Sequence, residues 1–373
     1  MNPLFNIALF SFIIAVLVLY VVVMWRWRIK SPRKRYGLVR YAGNPVISPL
    51  PHRSWESEGT FNPAAVLDDE GLTHIFYRAI GKDGLSRIGY ASSRDGKHID
   101  ERSAHPVYEP LPGYGMPEPT PGAPMPHYDI ELHPSGGGWG GAEDPRAVRI
   151  DDRVYMTYTA FEGWNDMRIA LTSISLEDLK NKRWRWKRPI LISPPRARSK
   201  NWVIFPGKIR GKYAILHGIA PKISIAYVDS LTAVPPIKSL PDHGGRGYQD
   251  PSRKKYWDAW VRGAGAPPVK TKQGWLLIYH AIDQKEPSKY KVGAMLLDLK
   301  DPTKILYRSP APILSPDMPY ENDGKPGIVY ASGSVVKDGK LIVYYGGGDR
   351  HVCAAETPLD PLLDWLVKYG KVG

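Results

Sequence analysis

The sequence predicts an all-β chain, a five-bladed β-propeller preceded by a single N-terminal transmembrane helix. A strand–turn–strand pattern begins again five times, at residues 62–78, 143–158, 205–217, 266–280 and 332–345, and such repetition is the mark of a repeat architecture. The composition agrees: 12 Trp and 22 Tyr suit strands, while 36 Gly and 36 Pro supply turns. The third observation is the uncharged, mostly apolar run at residues 4–25, long enough to cross a bilayer.

That run carries its positive charge behind it, in Arg26, Arg28, Lys30, Arg33, Lys34 and Arg35, the reverse of a signal peptide. By the positive-inside rule the larger C-terminal part faces the cytoplasm. The expected organisation is therefore a transmembrane anchor at 1–25, a basic juxtamembrane linker at 26–40 and one catalytic domain at 41–373, a single-pass membrane protein. Residues 1–40 hold seven Lys and Arg and no acidic residue, which accounts for half of the net charge of +14. Basicity therefore gives no ground for a nucleic-acid partner. The stretch Arg183-Trp184-Arg185-Trp186-Lys187-Arg188 alternates, as a strand with one solvated face does. Cys353 stands alone, so no intrachain disulfide forms. No zinc-ligand spacing, P-loop or Rossmann glycine pattern is present.

Each unit pairs a short apolar strand with one rich in aromatic and β-branched residues. A third strand recurs at 86–91, 167–172, 223–227 and 291–296, and a fourth at 45–49, 189–192 and 312–316. The copy at 45–49 precedes the first unit and is expected to complete the last blade. The Pro- and Gly-rich segment 103–142 is expected to form a rim over the active site, because a long loop in a compact domain is usually functional or disordered. Residues 236–262 are a second insertion, and 360–366 read as a short packed helix.

Matching places in successive units converge on one site, which brings Asn62, Asp144 and Lys208 towards one another and Arg78, Thr159, His217, His280 and Asp349 to a rim. Acid–base chemistry on a sugar needs a carboxyl group among hydrogen-bond donors. Asp144, in Glu143-Asp144-Pro145-Arg146, is the candidate, since Asn62 recurs at the same place in the first unit.

These segments resemble glycoside hydrolase family 130, the mannoside phosphorylases and β-mannosidases. The resemblance covers roughly residues 41–360 and rests on Phe61-Asn62-Pro63-Ala64, Tyr77-Arg78-Ala79, Glu143-Asp144-Pro145-Arg146, Phe205-Pro206-Gly207-Lys208-Ile209 and the run from Gly274 to His280. It implies a five-bladed propeller, inversion at the anomeric carbon, Asp144 as catalytic acid, and Asn62, Arg78 and Asp349 around the mannosyl unit. Arg146, beside Asp144, joins that substrate-binding set. The implied phosphate contacts are Lys200, Arg262, His280 and Tyr290. The chain departs from the family's pattern at Lys200, where an Arg is usual, and at Gly218, where a second Arg is usual.

The expected function is cleavage or formation of β-mannosidic bonds by phosphorolysis to mannose 1-phosphate. Inorganic phosphate is co-substrate, with no other cofactor and no metal. A mannose-containing oligosaccharide or glycoconjugate is the partner, with the membrane reached through the N-terminal helix. The alternatives are hydrolysis, for which Asp258 and Glu321 are the candidate bases, mannosyl transfer from an activated donor, and a non-catalytic glycan-binding propeller.

Overall fold

The computed structural model describes Ile14 and residues 16–20, 36–118, 122, 125–164, 166–196, 198–238 and 247–372. The chain divides into two compact units, Met1–Tyr36 and Gly37–Gly373. In the first, Ile14 and residues 16–20 are helical and exposed. Among the described residues no helix is long and apolar enough to cross a membrane. On that finding the expected transmembrane helix and the single-pass membrane location are corrected, and the membrane partner is left without support. The rest of the apolar run at 4–25 and the basic residues 26–35 lie outside the described residues.

The second unit is a series of antiparallel meanders. After β1 (Val39–Arg40), the first comprises β2 (Gly59–Leu67), β3 (Thr73–Ile80) and β4 (Leu85–Ser93), extended by β5 (Glu101–Arg102). A small pair, β6 (Leu111–Pro112) and β7 (Gly115–Met116), leads to β8 (Gly140–Ile150), β9 (Arg153–Phe161), β10 (Met167–Ser175) and β11 (Ile190–Leu191). The third meander is β12 (Val203–Ile209), β13 (Lys212–Gly218) and β14 (Ser224–Val228). The fourth takes in β15 (Tyr248–Gln249), β16 (Trp260–Ala264), β17 (Val269–Lys270), β18 (Trp275–Ile282), β19 (Tyr290–Leu297) and β20 (Ile305–Arg308). The last is β21 (Val329–Lys337), β22 (Lys340–Gly347) and β23 (His351–Pro358), and β1 pairs with β23. Residues 359–369 form the terminal helix, which buries Leu362, Leu363, Trp365 and Leu366.

The repeated strand pairs are present, but among the described residues not as five separate four-stranded blades; the sheets there hold four, eight, three, six and two strands. The expected propeller with a membrane helix is corrected accordingly. The eight-stranded sheet arises because β4 runs parallel to β8 at Leu85–Gly140 and Ser86–Gly141. Only glycine permits that approach: Gly141 has φ +123°, and a Cβ there would stand 2.3 Å from the Ser86 carbonyl oxygen. The fourth unit also begins earlier than its sequence pattern indicated, at Trp260 rather than Ala266.

Apolar clusters join neighbouring meanders. Phe76, Tyr90, Met156 and Tyr158 pack between the first and second. Val148, Trp202 and Ile215 pack between the second and third, and Phe205, Leu216, Leu277 and Tyr279 between the third and fourth. Ile75, Tyr77, Val335 and Tyr344 join the first to the last. Trp184 and Trp186 pack inward on the first of these clusters, while Arg183 pairs with Glu177 and Asp178, so the basic-aromatic stretch is one solvated face over core.

Candidate active site

One strand of every meander is interrupted by a bulge: after Phe61 in β2, Glu143 in β8, Ile204 in β12, Val261 in β16 and Ala331 in β21. A bulge leaves a residue unpaired and re-aims its side chain. In β2 and β8 the unpaired residues are Asn62 (φ 48°) and Asp144 (φ 51°), and Asp349 (φ 50°) occupies the turn between β22 and β23. Asn and Asp are the side chains that tolerate this left-handed region best after glycine.

Asn62, Arg78, Asp144, Lys200, Arg262, Tyr290 and Asp349 line one cavity of about 250 Å³. Asn62 Nδ2 donates to Asp144 Oδ1 at 2.7 Å, and Arg78 Nη1 donates to the same oxygen at 3.3 Å. Among the described residues nothing bonds Asp144 Oδ2, which leaves that oxygen available to a ligand. Burial raises the Asp144 pKa, but Arg78, Lys200, Arg146 and the Asn62 amide outweigh it and hold the carboxyl below its ordinary value. Asp349 behaves oppositely: burial pushes its carboxyl up, and Lys325 at 3.9 Å offsets this only in part.

Arg78 is buried, with Nε on Ser86 at 3.0 Å and Nη2 on the Ser135 carbonyl at 2.6 Å and Glu143 at 2.8 Å. Glu143, not singled out as a site residue from sequence, is the hub of this cluster. It also accepts from Ser135 Oγ at 2.8 Å and from Lys200 Nζ at 3.2 Å. Through Ser135 the end of the long loop is pinned to the cavity wall, and Lys325 Nζ adds a bond of 3.0 Å to the Pro134 carbonyl.

Arg146 and His280 are not in the cavity lining. Arg146 spends its donors on the Gly265, Asp144 and Pro145 carbonyls, on Asn201 and on the Tyr330 hydroxyl. It holds the Asp144 bulge from behind. His280 is fully buried, bonds the Ala331 carbonyl through Nε2 at 2.6 Å and stacks on Tyr330 at 4.1 Å between ring centroids. Burial, with Arg146 beside it, lowers its pKa to about 3, so it is a neutral imidazole supporting the wall. Arg262 lies 5.0 Å from the ring centre of Tyr290, whose phenol burial raises to about 12.

Lys208 lines a different groove, with Arg149 and Tyr213. Thr159 is buried. Asp258 and Glu321, the candidate bases, are fully buried and committed elsewhere: Asp258 to Tyr279, Arg253 and Arg308, and Glu321 to Tyr345 and Arg40. Trp164, Asn201, Lys325 and Tyr330 line the cavity without having been anticipated. The left-handed Asn201 (φ 63°), just ahead of β12, is the one with a local sequence signal, an Asn where a strand is about to start.

Residues 125–368 match the family described as beta-1,4-mannooligosaccharide phosphorylase. The chain is 39% identical over 329 residues to the 1,2-beta-oligomannan phosphorylase of Thermoanaerobacter sp. (strain X514), covering 85% of this chain and 96% of that one. It is 34% identical to the beta-1,2-mannobiose phosphorylase of the same organism, over 86% of this chain and 97% of the relative. The solved beta-1,2-mannobiose phosphorylase of Listeria innocua shares the fold, with a TM-score of 0.66 at 24% identity over 88% of this chain and 99% of that one.

Proposed function

The chain belongs to glycoside hydrolase family 130, and from that premise we propose that it cleaves β-1,2-mannosidic bonds by phosphorolysis, releasing mannose 1-phosphate. One observation carries this reading: a single cavity joins two carboxylates, Asp144 and Asp349, to the cations Lys200 and Arg262. The carboxylates and Asn62 suit the hydroxyls of a sugar, and the cations suit an oxyanion.

In this mechanism Asp144 is the catalytic acid. Its unbonded oxygen delivers a proton to the glycosidic oxygen as a phosphate oxygen attacks the anomeric carbon from the opposite face, inverting it. Lys200, Arg262 and Tyr290 hold the phosphate, while Asn62 fixes the Asp144 carboxyl and Asp349 takes a sugar hydroxyl. Arg78 acts mainly through its charge, since its donors are largely committed to the protein. Arg146 and His280 are positioning residues behind the wall. Phosphate is itself the nucleophile, so no protein base is required. Hydrolysis would need one to activate water, and both sequence candidates, Asp258 and Glu321, are locked into buried ion pairs.

The test is product formation from β-1,2-mannobiose with and without inorganic phosphate. Mannose 1-phosphate formed only when phosphate is present is the expected result. Free mannose alone, at a rate indifferent to phosphate, would replace phosphorolysis by hydrolysis.

A further inference from the structure

Building on the phosphorolytic reading, we propose that the cavity continues past Lys200, Asn201 and Arg262 into a second subsite that takes a substituent on the attacking phosphate. The enzyme then accepts a diphosphate or a phosphomonoester as nucleophile. A recess of about 50 Å³ lies against those three side chains and is bounded by His217, Gly218 and Gly247. The same three side chains line the main cavity, so the two spaces share a wall.

The glycines of the recess are not equivalent. Gly247 (φ +82°) and Gly263 (φ +147°) are dictated by the backbone, since a Cβ would stand 2.4 Å from the Val261 carbonyl oxygen or 2.5 Å from Asn201 Nδ2. Gly218 is under no such constraint. A Cβ there would meet only the Ser224 side chain, at 3.4 and 3.5 Å, in ordinary van der Waals contact. Glycine inside a strand is destabilising relative to alanine, and here it forms part of the recess lining where no backbone clash requires it. At ~10–15 Å³ per water the recess holds about four waters, the scale of one further phosphoryl group. Its surroundings suit an anion: Lys200 and Arg262 stand on the shared wall, and no carboxylate is among the described lining residues. Burial keeps the His217 imidazole neutral, a hydrogen-bonding partner rather than a repelling or attracting charge.

The step balances as ordinary phosphorolysis does. A terminal phosphoryl oxygen bonds to the anomeric carbon, the glycosidic C–O bond breaks, and the Asp144 proton goes to the departing oxygen. The second phosphoryl group remains in the recess unchanged. Pyrophosphate and mannobiose would thus give mannose 1-diphosphate and mannose.

The experiment incubates the full chain with β-1,2-mannobiose and either inorganic phosphate or pyrophosphate, and reads the sugar phosphates by mass. The wild type is expected to form mannose 1-diphosphate. Gly218→Val should lower kcat/KM for pyrophosphate by about tenfold or more while changing that for phosphate by less than about twofold. Gly218→Ala should fall between, and carries the comparison if the valine variant does not fold. The proposal is overturned if the wild type uses phosphate but never pyrophosphate, or if folded Gly218 variants treat both nucleophiles alike. If the wild type uses neither, the phosphorolytic reading fails first and this inference fails with it.

Discussion

Asp144 lies between opposing influences: burial disfavours its charge, while Arg78, Lys200, Arg146 and the Asn62 amide favour it and prevail. The empty site therefore holds a carboxylate, whereas a general acid must carry a proton. An anion beside Lys200 cancels part of the positive field, so anion binding should draw a proton onto Asp144. Sulfate tests this without titrating itself: calorimetry near neutral pH, in buffers of different ionisation enthalpy, should show proton uptake that Asp144→Asn abolishes. The same variant should lose about 10²–10⁴-fold in phosphorolysis. Sulfate binding with no proton uptake by the wild type would show that Asp144 is not the group being loaded.

Asp349 gives the opposite sign. Its carboxyl is raised by burial, so the folded state prefers it protonated. Below the unfolded value, about 3.9, this costs nothing. As the pH rises through the folded value the native state bears a buried charge and loses stability. Asp349→Asn should therefore melt close to wild type at low pH and above it at neutral pH, while losing activity. A gap in melting temperature that does not widen with pH would contradict this.

At the scale of the element, the bulge is the device that turns a strand residue into a site residue. Asn62 combines a left-handed backbone with a bond to Asp144, and two substitutions separate these roles. Asn62→Gly keeps the backbone comfortable, whereas Asn62→Ala adds strain of about 1 kcal/mol. Both lose the amide, so they should be equally impaired in turnover but differ in unfolding free energy by about that amount. Unequal turnover would mean that the backbone, not the amide, sets the Asp144 geometry.

A second device recurs three times. A buried tyrosine on the middle strand bonds a buried carboxylate from the preceding loop, which pairs with an arginine of an outer strand: Tyr77–Glu56–Arg102, Tyr279–Asp258–Arg308 and Tyr345–Glu321–Arg40. These clasps explain why two acidic residues that looked available for catalysis are not. Asp258→Asn, which leaves Arg253 and Arg308 without their carboxylate, should cost about 3–5 kcal/mol of stability with little change in KM for phosphate. A selective loss of phosphate affinity in a stable variant would return Asp258 to the active site.

Legibility in the sequence follows the same division. Strand pairs were readable because period-two apolar patterning is local. Asn62, Arg78, Asp144, Lys200, Arg262, Tyr290 and Asp349 were identified largely by resemblance and do share a cavity. What the sequence concealed was contact between distant segments. Ser135 reaches Glu143 through a loop fold, Tyr330 reaches Asn201 across meanders, and His280 and Arg146 turn away from the cavity. Sheet fusion was equally hidden, since it depends on how closely Gly141 approaches Ser86.

For the unit Gly37–Gly373 taken whole, the first and last meanders share one apolar cluster, and β1 adds to β23 with Val39 opposite Glu356 and Arg40 opposite Ala355. The short β1 contributes little apolar burial, for Val39 is exposed. Its weight lies in Arg40, which bonds Glu321 through Nε at 2.7 Å and Nη2 at 2.9 Å. Glu321 has no exposed side-chain surface and also accepts the Tyr345 hydroxyl at 2.8 Å. Loss of Arg40 would therefore strand a buried carboxylate, the costly way to break a buried pair, by about 3–5 kcal/mol. A chain beginning at Val39 should consequently unfold at a distinctly higher denaturant concentration than one beginning at Tyr41, although the two differ by only two residues and the buried Leu38 is absent from both. Arg40→Met in the longer chain should reproduce most of the difference, because it keeps β1 and removes only the charge. Equal midpoints for the Val39 and Tyr41 chains would mean that Glu321 is satisfied without Arg40 and that the first strand is not part of what holds the last sheet together.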